Sequence, residues 1–328
     1  MTLIAPTLQA FFADHLARAR ACSQNTIASY RDAWTLFLGF VSAQNSVPCS
    51  RIDFAMIDSD CLAAFLDWLE TERGSAPKTR NLRLTAIRSL LAYAAPRHPE
   101  HADTIARALS VPPKKHDRPE LVYLSPEETD ALVAAPDTAT PTGRRDKAML
   151  ALAAQTGLRI SELANLRIED VDIARRRVSC VGKGRKHRAT PMTKPVAAVM
   201  GAWMEERATR PGQAAFPNRE GGTLSRDAIE HRLAAHLRTA SKNCPSLAGK
   251  HVTMHALRRT AAMRLLEAGV DIAVIALFLG HESTATTLVY LHADMKLKQT
   301  AVDLAQPISA DPGRYKPGDP LLAWLKAL

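Results

Sequence analysis

Hydrophobic residues recur at helical spacing along the first third of the chain. In TLQAFFADHLARARA the apolar side chains fall at positions 8, 11, 12 and 16, the i, i+3, i+4 pattern of an amphipathic helix. Three more helices are predicted: NTIASYRDAWTLFLGFVSAQ with Asn25 as its N-cap, MIDSDCLAAFLDWLETERG ending at Gly74, and KTRNLRLTAIRSLLAYAA ending before Pro96. With a short fifth helix near residues 101–110, this pattern predicts a helical bundle.

The second half of the chain is also mainly helical but includes one strand pattern. Ser125, Pro126 and Glu128 have the spacing of a capping box, which predicts a helix start at LSPEETDAL. A helix through GRRDKAMLALAAQTG ends at Gly157, and ISELANL forms a short one. VSCVGKGRKHRATPM alternates around a Gly-Lys-Gly turn and predicts a β-hairpin. Helices near 194–208, 225–241, 256–268 and 271–279 follow, so the fold is mainly α with a small β element.

A proline-rich and basic stretch separates these halves. VPPKKHDRPE (111–120) lacks apolar periodicity and predicts a linker at 113–120 between domains at 1–112 and 121–305. Charge changes at the same place: residues 1–112 hold 11 Lys/Arg against 10 Asp/Glu, whereas residues 113–305 hold 29 against 21. A basic second domain favours a polyanionic partner. After residue 306, AQPISADPGRYKPGDP predicts a tether to a short helix in LLAWLKAL.

Composition excludes several other classes of protein. The five cysteines are scattered and form no CxxC pair, which argues against a disulfide framework or a zinc site. No apolar run approaches the roughly 20 residues of a membrane span, and MTLIAPTLQAFFADHLARAR does not have the pattern of a signal peptide. We therefore expect a cytoplasmic protein with reduced thiols and no zinc site.

Candidate chemistry concentrates in the basic domain. His255 and Arg258 are three residues apart in HALRRT, so one helix face carries both. His281 follows a glycine in LGH, and Tyr290 lies nine residues later. Each residue alone has an ordinary explanation: a surface Arg, a basic turn, a core Tyr. Together, guanidinium, imidazole and phenol groups favour phosphate chemistry.

The ordered set TGLRISEL, GKG, HALR, LGH and a tyrosine nine residues after that histidine resembles the tyrosine recombinase (phage integrase) family, in particular its XerC/XerD-like members. The resemblance covers about residues 5–305 and implies an N-terminal SAM-like core-binding domain and a mixed α/β catalytic domain. It implies an active site of several residues and one supporting carboxylate: Arg159, Lys183, His255, Arg258, His281, the nucleophile Tyr290, and Glu162 beside Arg159.

The resemblance also implies a reaction and an assembly. The family cuts and rejoins double-stranded DNA through a 3′-phosphotyrosyl intermediate without metal, cofactor or ATP, which implies a nucleoid-associated protein. It works as a homo- or hetero-tetramer that exchanges C-terminal segments. LLAWLKAL is the candidate for the exchanged segment; the alternative is that this helix packs on its own domain or is disordered. Basic residues outside the motifs are expected to contact DNA: Lys78, Arg80, Arg83, Lys114, Lys115, Arg185, Lys186 and Arg259.

Three other functions remain open at this point. A type IB-like topoisomerase would use the same chemistry without exchanging partners. A metal-dependent nuclease could use His255, His281 and His292, although no His-x-x-x-His motif or acidic cluster supports it. A DNA-binding relative without catalysis would keep the fold and lose turnover.

Overall fold

A computed structural model describes residues 2–116, 121–182, 187–281, 287, 324 and 325. The chain divides into two compact units, Met1–Pro119 and Glu120–Leu328. Both are mostly helical, and the second adds a small sheet, as the sequence predicts.

The first unit is a helical bundle. Its α-helices are listed in chain order: α1 Ile4–Ala10, α2 Gln24–Asn45, α3 Ser59–Thr71, α4 Pro77–Ala94 and α5 Ala102–Ser110. Directly after α1 the chain continues as a π-helix, Phe11–Ala19. The core is aromatic where α2 meets its neighbours: Trp34 and Phe37 are buried, and the Trp34 indole donates to Ala86 O at 3.3 Å.

Two helix boundaries in this unit differ from the sequence-based expectation. The N-cap of α2 is Ser23 and not Asn25, because the Ser23 hydroxyl accepts from Thr26 N at 3.2 Å. Helix α3 ends at Thr71, three residues before Gly74, which adopts a left-handed φ of 58°. The Ser75 amide then donates back to Leu69 O at 2.8 Å, so the glycine follows the helix end.

The second unit contains the remaining elements, which in chain order are α6 Pro126–Ala134, α7 Pro141–Thr156, α8 Ile160–Ala164, β1 Val171–Asp172, β2 Arg177–Val181, β3 His187–Pro191, α9 Lys194–Ala208, α10 Arg226–Ala240, α11 Met254–Glu267 and α12 Ile272–Leu279. The predicted capping box at α6 is present: Glu128 N donates to Ser125 Oγ, and Ser125 N donates to Glu128 Oε2. The predicted hairpin is present as β2 and β3, and β1 extends it to an antiparallel three-stranded sheet in the order β1-β2-β3.

Helix α7 lies at the centre of this unit. Met149, Leu150 and Leu152 are fully buried, and they belong to one hydrophobic core shared with α9 and α11. A smaller cluster, which includes Met263, Ile275 and Leu279, joins α11 to α12. These contacts fix the C-terminal end of α7 beside α11 and the end of α12.

The start of the predicted linker packs on the first unit. Asn81 of α4 forms a pair of hydrogen bonds with the backbone of Lys114, at 2.8 and 2.9 Å. None of the helices among the described residues combines the length and the apolar character that a bilayer crossing requires.

Candidate active site

The site begins where α7 ends. Gly157 follows the helix with a left-handed φ of 61°, and a Cβ at this position would lie 2.7 Å from Leu279 Cδ2 and 3.2 Å from Ala261 Cβ. Glycine therefore satisfies two requirements at once, the backbone conformation and the close approach of α11 and α12. Two residues later, Arg159 is the N-cap of α8.

Glu162 in the first turn of α8 fixes Arg159. Its carboxylate accepts from the Arg159 backbone N–H at 2.8 Å and from Arg159 Nη1 at 2.8 Å. The Glu162 side chain is 3 % exposed, and Arg159 keeps 30 % exposure. The carboxylate lies at a helix N-terminus, where its charge is favourable. Arg159 Nη2 donates to Gly280 O at 2.7 Å, so this guanidinium connects α8 to the end of α12.

Helix α11 supplies the second arginine. Thr253 caps the helix through a bond from Ala256 N, which places His255 in the first turn with an exposed side chain. Arg258, one turn further on, is buried, and it donates from Nη1 to Gly157 O at 2.6 Å and from Nη2 to Leu279 O at 2.7 Å. The last carbonyls of a helix lack partners within the helix and carry partial negative charge. Arg258 therefore holds the ends of α7 and α12 together.

The end of α12 places His281 among these cations. Gly280 has a left-handed φ of 67°, and the His281 amide donates to Ala276 O at 2.9 Å. The imidazole Nδ1 lies 2.7 Å from the Thr287 hydroxyl. Burial first, and then the charges of Arg258, Arg159 and Arg188, together lower the pKa of His281 to about 4. The imidazole is thus neutral at physiological pH.

Strand β3 brings a third arginine that sequence reasoning did not place in the site. Arg188 Nη2 donates to Glu162 Oε2 at 2.6 Å, and its Nε donates to Cys180 Sγ at 3.2 Å. Arg188 lies in the basic run GKGRKHR, and such a run indicates a turn exposed to solvent and not a buried site residue. The alternation along β3 was the available signal: Thr190 points inward, so Arg188, two residues earlier, lies on the same face.

The predicted site residues divide into two groups. Those that the structure describes converge around the turn at residues 279–281: Arg159, Glu162, His255, Arg258 and His281. The others lie outside the described residues: Lys183, Arg185, Lys186 and Tyr290.

The basic residues predicted to contact DNA differ in accessibility. Arg80 is buried, with Nε 2.9 Å from Glu70 Oε1 but without hydrogen-bond alignment, and Arg83 donates to Ser75 Oγ at 2.8 Å. Lys114 pairs with Glu70. The side chains of the remaining three are exposed or half-buried: Lys78, Lys115 and Arg259.

The arrangement suits an anion with several oxygens. Guanidinium groups present N–H donors in the planar, paired geometry that phosphate and carboxylate oxygens accept. Two arginines anchored by backbone carbonyls keep their positions before any ligand arrives, which avoids reorganisation on binding. Within the described ranges, no group of three or more His, Cys, Asp or Glu side chains is placed to hold a metal ion.

Comparison with known proteins identifies the family. The model of the phage integrase family matches residues 122–296, and that of the phage integrase N-terminal SAM-like domain matches residues 9–98. A putative integrase/recombinase of Sinorhizobium fredii, y4rC, is 44 % identical over 326 residues, which cover 99 % of this chain and 98 % of that protein. The tyrosine recombinase XerC of Xanthomonas campestris pv. campestris is 34 % identical over 298 residues, 90 % of this chain and 87 % of its own.

Solved structures share the fold. The Tn1549 transposon integrase in complex with transposon right end DNA superimposes with a TM-score of 0.70 at 16 % identity, covering 90 % of this chain and 98 % of that one. The XerH site-specific recombinase bound to its palindromic difH substrate gives 0.67 at 21 % identity, over 87 % and 81 % of the two chains.

The chain belongs to the phage integrase family of tyrosine site-specific recombinases. Its similarity to the relatives named XerC and XerD extends over both units, as the sequence motifs indicate.

Proposed function

We propose that this protein cuts and rejoins DNA strands at a specific site through a covalent 3′-phosphotyrosyl intermediate, with Tyr290 as nucleophile and with neither metal nor ATP. The observation that carries the proposal is the convergence of Arg159 and Arg258 on the turn that ends in His281. Residues about 100 positions apart in the sequence meet there, as a shared phosphate site requires.

The two arginines replace a metal in the proposed reaction. Each would donate to the non-bridging oxygens of the scissile phosphate and oppose the charge that grows as the tyrosine attacks. Their anchoring differs, since Arg258 is 3 % exposed and Arg159 is partly open to solvent. Loss of one such preorganised donor typically slows a reaction roughly 10²- to 10³-fold.

Proton transfer is assigned to the remaining groups. A free tyrosine has a pKa of about 10, so the attack needs a positive environment or a proton acceptor. Lys183 would protonate the departing 5′-oxygen, because neighbouring cations lower a lysine's pKa. His255 would relay a proton from Tyr290 or bind the phosphate. His281, neutral beside the arginines, would hydrogen-bond a non-bridging oxygen.

The second step reverses the first on another strand. The phosphotyrosyl bond keeps the energy of the phosphodiester, so the 5′-hydroxyl of a partner strand displaces the tyrosine without ATP. Exchange of strands between two duplexes requires four active sites, and we propose a tetramer on DNA. The segment LLAWLKAL would pack on a neighbouring protomer, and the exposed side chains of Trp324 and Leu325 agree with such a role.

DNA contacts outside the active site are proposed from charge and exposure. We propose phosphate contacts for Lys78, Lys115 and Arg259, whose side chains are exposed or half-buried, with Arg185 and Lys186 as further candidates from the sequence. Arg80, Arg83 and Lys114 already have protein partners, so they would have to exchange these bonds for DNA.

Trapping on a nicked DNA substrate tests the proposal. A nick close to the cleavage point, on its 3′ side, lets the short fragment that carries the new 5′-hydroxyl diffuse away, so the covalent adduct accumulates. Duplexes from the DNA that flanks the gene are incubated with protein in excess EDTA. We expect an adduct with the wild type and none with Tyr290→Phe, while the mobility shift of bound DNA is unchanged.

Each result that differs from this expectation would favour a specific alternative function or nucleophile. An adduct formed by Tyr290→Phe would move the nucleophile to another tyrosine, with Tyr123 and Tyr315 as the next candidates. Loss of cleavage in EDTA that magnesium restores would favour a metal-dependent nuclease. Relaxation of supercoiled DNA with no exchange between two labelled duplexes would favour a topoisomerase.

A further inference from the structure

Among the residues that the structure describes, Arg188 is the site arginine that the sequence motifs do not assign. Its side chain is 12 % exposed, it lies on the inward face of β3, and it faces Cys180 across the sheet. Two of its three guanidinium nitrogens have partners: Nε donates to Cys180 Sγ and Nη2 donates to Glu162 Oε2. An ordinary surface arginine would lie outward and point into water.

The carboxylate of Glu162 is divided between two arginines. Oε1 accepts from Arg159 Nη1, whereas Oε2 accepts from Arg188 Nη2 and from the Arg159 backbone N–H. A buried carboxylate in a closed pair with Arg159 would cancel the positive charge that a phosphate needs. Because Arg188 shares the carboxylate, the two guanidinium groups of Arg159 and Arg188 and the carboxylate of Glu162 together carry one net positive charge.

Arg188 also borders the peptide that Arg159 holds. Gly280 O accepts from Arg159 Nη2, and a Cβ built on Gly280 would lie 2.5 Å from Arg188 Nη1. Arg188 Nη1 is buried and, among the described residues, has no hydrogen-bond partner. Burying an N–H donor without a partner is costly, so a positive group kept here indicates a role beyond stability.

We propose that Arg188 is a positioning residue for strand cleavage: by sharing Glu162 it orients Arg159 toward the scissile phosphate and preserves the positive charge there. This inference rests on the proposed function. Arg188 is not expected to touch the DNA. A simple structural tie between β3 and α8 would stabilise the fold and would not distinguish a charged phosphate from a neutral one.

The charge of the scissile phosphate distinguishes a positioning role of Arg188 in cleavage from a purely structural role between β3 and α8. The cleavage site mapped by trapping is synthesised twice, with a normal phosphodiester and with a methylphosphonate, in which a methyl group replaces one non-bridging oxygen and removes the negative charge. Single-turnover adduct formation is then measured for the wild type, Arg188→Gln and Arg188→Lys. Arg177→Gln is the matched control, because Arg177 lies on the adjacent strand with a half-exposed side chain.

On the phosphodiester we expect Arg188→Gln to slow cleavage roughly 10- to 100-fold, the usual effect of losing a group that orients a functional residue. On the methylphosphonate most of this deficit disappears, because the charge that Arg159 must oppose is gone. Arg188→Lys keeps the charge and recovers part of the rate. DNA affinity and melting temperature of Arg188→Lys stay close to the wild type, and Arg177→Gln behaves as wild type on both substrates.

Other results overturn the inference. Equal deficits of Arg188→Gln on both substrates would assign Arg188 to folding alone, and an unchanged rate on the phosphodiester would remove it from the site. If the wild type forms no adduct with any flanking DNA, the proposed function itself fails. That outcome differs from one in which the wild type cleaves and Arg188 has no effect.

Discussion

At the residue scale, His281 shows how the arginines set the chemistry of their neighbours. Its pKa is lowered from 6.5 to about 4, first by burial and then by Arg258, Arg159 and Arg188. We expect the imidazole NMR signals of His281, assigned by comparison with His281→Gln, to titrate near pH 4. A midpoint near 6.5 in the folded protein would contradict both the burial of the imidazole and its cationic surroundings.

The same shift predicts the sign of a stability change. Between about pH 4 and 6.5 the unfolded chain binds a proton at His281 and the folded chain does not, so this histidine's contribution to stability falls as pH falls through that window. Above pH 6.5 the contribution is constant. The difference in unfolding free energy between wild type and His281→Gln, followed by urea denaturation, should show this dependence.

Site residues that belong to a sequence motif could be predicted from the sequence. A residue that joins the site only through a tertiary contact could not. Arg159, Arg258 and His281 were expected from the sequence, because they lie in the motifs TGLRISEL, HALR and LGH that carry the family resemblance. Arg188 does not, because its role depends on Glu162, 26 residues away on another element, and on the inward face of β3. The site roles themselves, including those of Lys183 and Tyr290, stay predictions.

At the element scale, two glycines that end helices allow a matched test. Gly280 and Gly269 both have left-handed φ, 67° and 77°, but a Cβ on Gly280 meets Arg188 while one on Gly269 meets nothing within 4 Å. Both alanine variants should lose about 1–2 kcal/mol of stability from the backbone conformation. We expect Gly280→Ala in addition to displace Arg188 and slow adduct formation, whereas Gly269→Ala cleaves at the wild-type rate.

The free energy of unfolding and the cleavage rate are both measured for Gly280→Ala and Gly269→Ala. Chemical denaturation reports the free energy of unfolding, and single-turnover adduct formation reports the site. Equal cleavage by the two variants would mean that Arg188 adapts to the added methyl group without consequence for Arg159.

Asp146 makes a second prediction at this scale, because it joins α7 to α10. Its carboxylate, 1 % exposed, accepts from Arg145 and Arg232 at 2.8 and 3.0 Å and lies 2.9 Å from His236 Nε2. Burial alone would raise the pKa of Asp146, but His236, Arg145 and Arg232 outweigh it and lower the pKa. The stability from this network is therefore present above the normal aspartate pKa and is lost as pH falls through the lowered one.

Removal of this carboxylate leaves Arg145 buried without its ionic partner. We expect Asp146→Ala to lose roughly 3–5 kcal/mol of unfolding free energy, the usual cost of breaking a buried ion pair. Asp227→Ala is the control, since Asp227 is an exposed carboxylate on α10. A loss below that of Asp227→Ala in urea denaturation would show that the ion pairs of Asp146 add no stability to the fold.

Helices with clear periodicity were predictable at this scale, while short or irregular elements were not. Strand β1 has two residues, too few for an alternating pattern, and it exists because Val171 and Asp172 pair with β2. The π-helix after α1 follows an ordinary amphipathic sequence, and its wider turn is visible in a bond such as Arg20 N–H to His15 O. Neither element has a periodic pattern in the sequence that would predict it.

At the scale of the whole molecule, the distribution of charge predicts the salt dependence of DNA binding. The chain has a net charge of +10, and the exposed Lys78 and Lys115 are proposed phosphate contacts in the first unit. Each phosphate that a lysine neutralises releases counterions and contributes about −0.9 to the slope of log K against log salt. We expect Lys78→Ala and Lys115→Ala each to make that slope less negative by about this amount, with little effect on which sequence is bound.

Anisotropy titrations of a labelled duplex at several NaCl concentrations measure the slope. Arg18→Ala is the control, because Arg18 is exposed but paired with Asp14. A slope unchanged in both lysine variants would show that neither Lys78 nor Lys115 neutralises a DNA phosphate.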